Sequence, residues 1–420
     1  MIDIVRMLPD QIPPKFCPNP FVYLMTSNDQ QVKFCCLLPQ GVRDDDGSLI
    51  KAETDSIDRA WCSRDLQNTR QNMLEGKGWS DCRVCYDIEG TGSRSLRQDV
   101  LDRWFEPKRQ SFLRNAIDQH RLGNHPQGPI SIEFRSGNIC NLRCRMCNPD
   151  DSNLISKEYD RLNLQFPQWS KLYIQRSTQI GTDSADEIIS HLDTLQELRL
   201  SGGEPLYNPR TFTVLQAAVE SGHASHIDLF INTNFTKIDT DFIDLLSCFR
   251  SIELFASIDG IGSVNDYIRT GSDWNSLERN FNLFFEQDHK IRLFINVTTQ
   301  NLNVMSLGDI ITWSLSRNIW PIISVLSYPP YLSVSNMPTS LKQAARAHIE
   351  NILSSRALQE FQHANHVKSR LTSVLNAMEI KTDRGEIRKF LEFTKILDNS
   401  RGQFIDDCIP GLLDFYTEPF

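Results

Sequence analysis

Nine of the eleven cysteines in this 420-residue chain lie before residue 150, and their spacing carries the chemistry. Cys140, Cys144 and Cys147 share one short segment, Cys-Asn-Leu-Arg-Cys-Arg-Met-Cys. Three thiolates on one loop can fill three corners of an iron-sulfur cubane and leave the fourth iron without a protein ligand. Zinc suits this spacing less well. A structural zinc takes four protein ligands, a catalytic one takes three plus water, and zinc cysteine pairs usually sit two residues apart. The six other early cysteines are Cys17, the adjacent Cys35 and Cys36, Cys62, and the pair Cys82 and Cys85 at two-residue spacing. Cys248 and Cys408 have no partners in the pattern and read as packing residues.

The elements that must position these groups follow from periodicity. From about residue 130, short apolar runs alternate with amphipathic ones. Extended runs fall near 130–134, 197–200, 226–232, 251–258, 291–298 and 321–327. Helical patterns lie between them, at 209–221, 276–287 and 306–318. Six strand-helix units predict an α/β fold, a partial (βα)6 barrel on a parallel sheet with its site at the carboxyl ends of the strands. Before it, residues 1–125 are cysteine-rich and irregular, with short extended segments at 21–26 and 31–36, a small metal-stapled domain with a helical bridge towards His120. Residues 126–330 form the barrel, and 331–420 read as a helical carboxyl-terminal region. The composition is that of a folded globular chain, 40% hydrophobic and 23% charged. A net charge of −9 without any long Lys/Arg run argues against nucleic acid or an anionic membrane as partner. The opening residues lack a signal-peptide pattern and no apolar run is long enough for a bilayer, so the expected compartment is the cytoplasm, where cysteines ligate metal rather than pair.

At the cysteine triad the sequence resembles the radical S-adenosylmethionine (SAM) superfamily, whose C-x3-C-x-φ-C signature it matches. Later motifs keep the family's order. Ser201-Gly202-Gly203-Glu204-Pro205 is similar to its GGEP element, about sixty residues beyond the cysteines. Asn232-Thr233-Asn234-Phe235 resembles its TNG element with Phe235 in the glycine place, and Ser257-Ile258-Asp259-Gly260 its SxDG element. Arg269 matches an arginine that pairs with the SAM carboxylate. The resemblance covers about residues 128–330. It implies a 4Fe-4S cluster on Cys140, Cys144 and Cys147 whose open iron chelates SAM, reductive cleavage of SAM to a 5′-deoxyadenosyl radical, and an electron donor such as flavodoxin or ferredoxin. It further implies SAM contacts from Met146 at the φ position, Gly202, Gly203, Glu204, Asn234, Ser257, Asp259 and Arg269, with weaker assignments at Asn296, Val297, Asn301 and 324–332. A carboxylate suits an ammonium, and a guanidinium suits a carboxylate. No side chain is assigned as a general acid or base, since the cofactor carries the radical.

The first 125 residues resemble the SPASM and twitch domains of peptide-modifying radical SAM enzymes, although that module usually follows the barrel and here precedes it. The resemblance implies a second, auxiliary 4Fe-4S cluster on Cys17, Cys35, Cys82 and Cys85. Cys36 competes with Cys35, because neighbours in a strand point to opposite faces. Cys62 reads as a spare buried thiol. A four-thiolate zinc site is the alternative for this domain. The favoured function is modification of a peptide or protein side chain. The alternatives are a radical SAM enzyme acting on a small molecule such as a sugar or amino compound, and a nonenzymatic iron-sulfur or zinc scaffold.

Overall fold

All six apolar runs become strands, in the predicted order: β3 Ser131–Arg135, β4 Glu197–Ser201, β5 Asp228–Thr233, β6 Ser251–Ser257, β7 Ile291–Thr299 and β8 Trp320–Val325. Two more precede them, β1 Tyr23–Thr26 and β2 Val32–Lys33. In the computed structural model, which describes residues 12–90, 92, 94–123, 128–163, 165–170, 185–286 and 291–417, they form one eight-stranded sheet of order β2-β1-β3-β4-β5-β6-β7-β8. The opening residues and the expected boundary at residue 125 lie outside that description. The fold class is α/β with a mostly parallel sheet, as expected from the alternation of strand and helix.

By contact the chain divides into two compact units. One comprises Met1–Asn138, Ser177–Ile231 and Asp241–Ile252, the other Ile139–Arg176, Asn232–Thr240 and Glu253–Phe420. In the first, β1 pairs antiparallel with β2 and parallel with β3, in the register Tyr23 to Ser131 and Thr26 to Phe134. β3 runs parallel to β4, and β4 to β5. Its longer helices are α1 Arg64–Leu74, α2 Arg83–Gly90, α3 Leu96–Trp104, α4 Pro107–Arg121 and α6 Pro209–Glu220. The helical bridge predicted towards His120 is thus two helices, because Pro107 lacks an N–H and starts a new one. Phe16, Phe21, Val22, Met25, Met73, Trp104, Leu113 and Ile117 form a core under β1, with Cys17 and Cys82 packed at its edge. Burying each such large apolar side chain contributes about 2 kcal/mol.

Glu197, at the start of β4, is 2% exposed in its side chain and takes Arg103 and Arg109 at 2.7 Å each on one carboxylate oxygen. Burial pushes this carboxyl up, but Arg103, Arg199 and Arg109 together hold it down at about 2. The charge is compensated, which a buried carboxylate requires.

In the second unit β7 and β8 are parallel, in register from Phe294 with Trp320 to Thr299 with Val325. Its longer helices are α5 Asn153–Leu162, α7 Trp274–Glu286, α8 Leu307–Ser316, α9 Thr339–Ser354, α10 Ala364–Glu379 and α11 Arg384–Arg401. The last three are the predicted carboxyl-terminal helices. Asp383 caps α11 by accepting from the Gly385 amide at 2.7 Å, and Gly402 ends it in the left-handed region, φ 60°. Its buried face runs Ile387, Phe390, Phe393, Thr394, Leu397 and Asp398, a helical stripe that ends on a carboxylate. No helix among the described residues is long and apolar enough to cross a membrane.

Candidate functional site

The loop carrying Cys140, Cys144 and Cys147 has no regular structure of its own, so its shape comes from what grips it. Two backbone bonds zip it to the segment after Ile268. The Arg143 amide donates to Thr270 O and the Arg145 amide to Ile268 O, both at 2.8 Å. The start of α5 holds the other side: the Cys140 amide donates to Asn153 Oδ1 at 3.2 Å, and the helix cap Ser152 donates its hydroxyl to Leu142 O at 2.8 Å. Gly271, at φ +102°, lies so close that a Cβ there would meet Asn141 O and Leu142 Cδ2 at 3.3 Å. Asn234 donates to Asn141 Oδ1 at 2.8 Å, while Asn141 donates to Thr236 Oγ1 at 2.9 Å. The side chain of Asn234 is therefore engaged with the residue beside Cys140. Phe235 has φ 61°, the backbone of a glycine, and its buried ring stacks on Phe281 at 4.4 Å. Left-handed backbone at such a residue costs of order 1 kcal/mol, which aromatic burial offsets.

Cys144 is buried, and Cys140 and Cys147 are half-buried. Cys140 Sγ accepts from the Leu142 amide at 3.4 Å, and Arg269 Nη1 stands 3.9 Å from Cys144 Sγ. The Cys147 thiol faces Cys144, and with Arg269 it holds the Cys144 thiol below the usual value against burial. Arg269 also faces Asp259 Oδ2 at 2.7 Å, and the other Asp259 oxygen accepts from the Thr298 amide at 2.7 Å. The ion pair leaves Arg269 Nε buried with no hydrogen-bond acceptor among the described residues. A buried guanidinium N–H of that kind has a full hydrogen bond still to gain. Met146 lies half-buried in the turn between Cys144 and Cys147, and Ser257 half-buried at the end of β6. Gly260 is fixed by packing, since a Cβ would come within 2.6 Å of Val264.

Asp259 is wholly buried, so Asp259→Asn leaves the Arg269 charge uncompensated and is expected to cost about 3 kcal/mol. Urea unfolding of the metal-free chain measures it, and an unchanged midpoint would refute the pair's structural weight.

Gly202, Gly203 and Glu204 belong to the other unit. Gly202 has φ +115°, and a Cβ on it would stand 2.9 Å from Gly137 O, so glycine is required there by backbone approach as well as by φ. The Gly203 amide donates to Gly137 O at 2.8 Å. Glu204 is buried, with Oε1 capping the short turn at Leu206 N, 3.1 Å away.

In the same unit Cys17, Cys35, Cys82 and Cys85 line one pocket with Phe34, Leu38, Leu96 and Arg97. Cys17 precedes a short helix, Cys35 follows β2, Cys82 ends a 3₁₀ turn and Cys85 lies in the first turn of α2. Cys35 and Cys36 sit beyond the strand, in a turn closed by the Leu38 amide on Cys35 O, so alternation along a strand does not sort them. Cys35 lines the pocket, whereas Cys36 is exposed, with its thiol hydrogen-bonded to Cys35 and near Glu133 and Arg135. Cys62, expected as a buried thiol, is exposed, as is Cys248, and Cys408 is half-buried. Burial and the neighbouring cysteines push the Cys17 and Cys82 thiols up to about 12. Such crowded thiols become thiolates when a cation replaces their protons. Among the described residues no three His, Cys, Asp or Glu side chains group as a single bound ion requires. Four thiols in an apolar pocket beside one arginine are a donor set that fits an iron-sulfur cluster.

Sequence reasoning passed over the charges that hold the triad loop. Arg143 Nη1 meets Glu158 Oε1 at 3.1 Å, and Arg401 grips the same carboxylate with Nε at 3.1 Å and Nη2 at 2.6 Å. Arg145 Nη2 meets Asp398 Oδ1 at 2.6 Å. A charge falling on the apolar stripe of a helix signals a buried pair, and Asp398 and Arg401 stand where the α11 stripe continues.

No family model matches the chain, and no curated protein matches it. Among solved structures, native anSMEcpe with bound AdoMet aligns at TM-score 0.38 and 16% identity, over 53% of this chain and 60% of that one. Streptococcus suis SuiB bound to S-adenosylmethionine aligns at TM-score 0.34 and 16% identity, over 73% and 67%. The radical S-adenosylmethionine methyltransferase TsrM from Kitasatospora setae, with tryptophan substrate and aza-SAM bound, gives 0.32 and 14%, over 46% and 35%. The chain thus spans about three fifths of the length of the first of these.

Proposed function

We propose that the chain is a radical SAM enzyme, with a 4Fe-4S cluster on Cys140, Cys144 and Cys147 and SAM at its open iron. The observation that carries this reading is the triad loop itself: three thiols on one tethered segment, with the buried, acceptor-free Arg269 Nε beside them. When bound, the cluster supplies the electron that splits SAM into methionine and a 5′-deoxyadenosyl radical. The chain's own residues bind and orient. Arg269 offers a hydrogen bond to the SAM carboxylate and offsets the negative charge of the thiolates, while Asp259 keeps the guanidinium in place. Gly202 and Gly203 give close backbone approach, and Glu204 suits the methionyl ammonium. Met146, Asn234 and Ser257 complete the cofactor contacts.

Residues 1–125 are the auxiliary domain, with a second 4Fe-4S cluster on Cys17, Cys35, Cys82 and Cys85. Their resemblance to SPASM and twitch domains supports a peptide or protein side chain as substrate, with flavodoxin or ferredoxin as electron donor.

Anaerobic reconstitution followed by reduction tests the reading directly. SAM is expected to change the electron paramagnetic resonance spectrum of the reduced cluster, with 5′-deoxyadenosine released. A fully iron-loaded protein whose spectrum ignores SAM would overturn it.

A further inference from the structure

Every residue between the triad cysteines has to be placed by something, and two of them are arginines whose partners lie in distant sequence. Arg145 is 3% exposed in its side chain, immediately beside Cys144. Its guanidinium lies 3.6 Å over the Tyr267 ring and donates through Nε to Tyr267 O at 3.0 Å and through Nη2 to Asp398 Oδ1 at 2.6 Å. The same Asp398 oxygen accepts the Tyr267 hydroxyl at 2.9 Å, and Oδ2 accepts the Ile405 amide at 3.1 Å. One carboxylate thus gathers the cysteine loop, the segment before Arg269 and the chain beyond α11. One helical turn further, Arg401 holds Glu158, which also binds Arg143, and donates to Thr270 Oγ1 at 3.0 Å. Gln403 adds bonds to Thr270 and the Asp266 carbonyl at 3.0 Å each.

We infer that α11 is the brace of the cysteine loop, and that Asp398, clamping Arg145, is a positioning residue for the 4Fe-4S cluster. The inference rests on the proposed function, since it needs a cluster on the triad. Its physical basis is the geometry of three ligands on irregular backbone. A loop free to spread can bind iron, but only a fixed one holds three sulfurs to one cubane, and outer contacts that orient ligands typically govern affinity. Ion pairs at both Arg143 and Arg145 do that fixing from inside the triad. The Arg145–Asp398 and Arg401–Glu158 pairs are closed to solvent, with all four side chains 7% exposed or less, whereas Arg143 reaches Glu158 from a side chain that is 32% exposed.

The test compares the full chain with Asp398→Asn, with the double variant Arg145→Met/Asp398→Asn, and with Glu392→Gln, a change on the exposed side of α11. Each is reconstituted anaerobically, and cluster loss to a chelator is followed by absorbance, with the Cys140→Ala/Cys144→Ala/Cys147→Ala variant as baseline. Asp398→Asn is expected to lose the triad cluster roughly 10- to 100-fold faster than the parent, and Glu392→Gln at the parental rate. The double variant separates positioning from folding. Removing both charges takes away the uncompensated guanidinium, so urea stability recovers while the cluster stays labile. If stability and cluster retention recover together, Asp398 serves the fold alone and the inference fails. Parental retention in Asp398→Asn would also overturn it. Should the parent hold no cluster above the triple-alanine baseline, the function itself falls, an outcome visible before any Asp398 variant is made.

Discussion

Replacing Cys140, Cys144 and Cys147 together with alanine abolishes 5′-deoxyadenosine release and removes about four of roughly eight irons per chain, as expected if each cysteine group holds one 4Fe-4S cluster. The loss is all-or-none because no other thiol of the described second unit is placed to substitute. Cys408 lies half-buried near Asp407 and Arg145 without any neighbouring cysteine in its surroundings, and Cys248 is in the other unit. The variant nevertheless folds, since the tethers of its loop are backbone bonds at Arg143 and Arg145, the Ser152 cap and the two ion pairs, none of which uses sulfur. Retained helical circular dichroism with lost activity is the expected combination. Deoxyadenosine release from the triple variant would refute assignment of the cluster to these residues.

The parts of this molecule that were legible in sequence share a cause: they depend on local pattern. A buried parallel strand is a short apolar run, and all six such runs became strands. The helices of residues 339–401 follow their 3.6-residue periodicity. What was not legible depends on partners far along the chain. The extended runs 21–26 and 31–36 are legible locally and contain β1 and β2, but that β1 joins the barrel's sheet, Tyr23 to Thr26 beside Ser131 to Phe134 over a hundred residues on, is encoded by no local pattern. The site divides the same way. Spacing alone marks the triad, and the glycine-like backbone of Phe235 agrees with the motif position that it fills. The Arg145–Asp398 and Arg143–Glu158–Arg401 contacts link α11 to the loop across more than 230 residues, so the sequence of α11 looks chemically silent until its stripe is read for charge.

The adjacent cysteines show how a local rule can mislead and how geometry repairs it. Alternation would have decided between Cys35 and Cys36 had they been in a strand, but β2 stops at Lys33 and both lie in the turn that follows. Their surroundings then differ by chemistry. Cys35 shares its pocket with Cys17, Cys82, Cys85 and Arg97, three further thiols and a cation. Cys36 is exposed and outside that pocket; its thiol is held below the usual value by a hydrogen bond with Cys35, with Glu133 and Arg135, themselves paired, acting on it in opposite senses. In the triple-alanine background, which isolates the auxiliary site, Cys35→Ser is therefore expected to remove nearly all of the remaining four or so irons, and Cys36→Ser to leave them. Metal analysis with Mössbauer spectroscopy reads both the amount and the kind of metal. Equal losses from the two variants would mean that the turn rearranges to use either sulfur, and zinc at about one per chain in place of iron would make the first 125 residues a structural zinc domain. Serine is the informative replacement, because it keeps the size and polarity of the side chain while withdrawing the soft thiolate that either metal prefers.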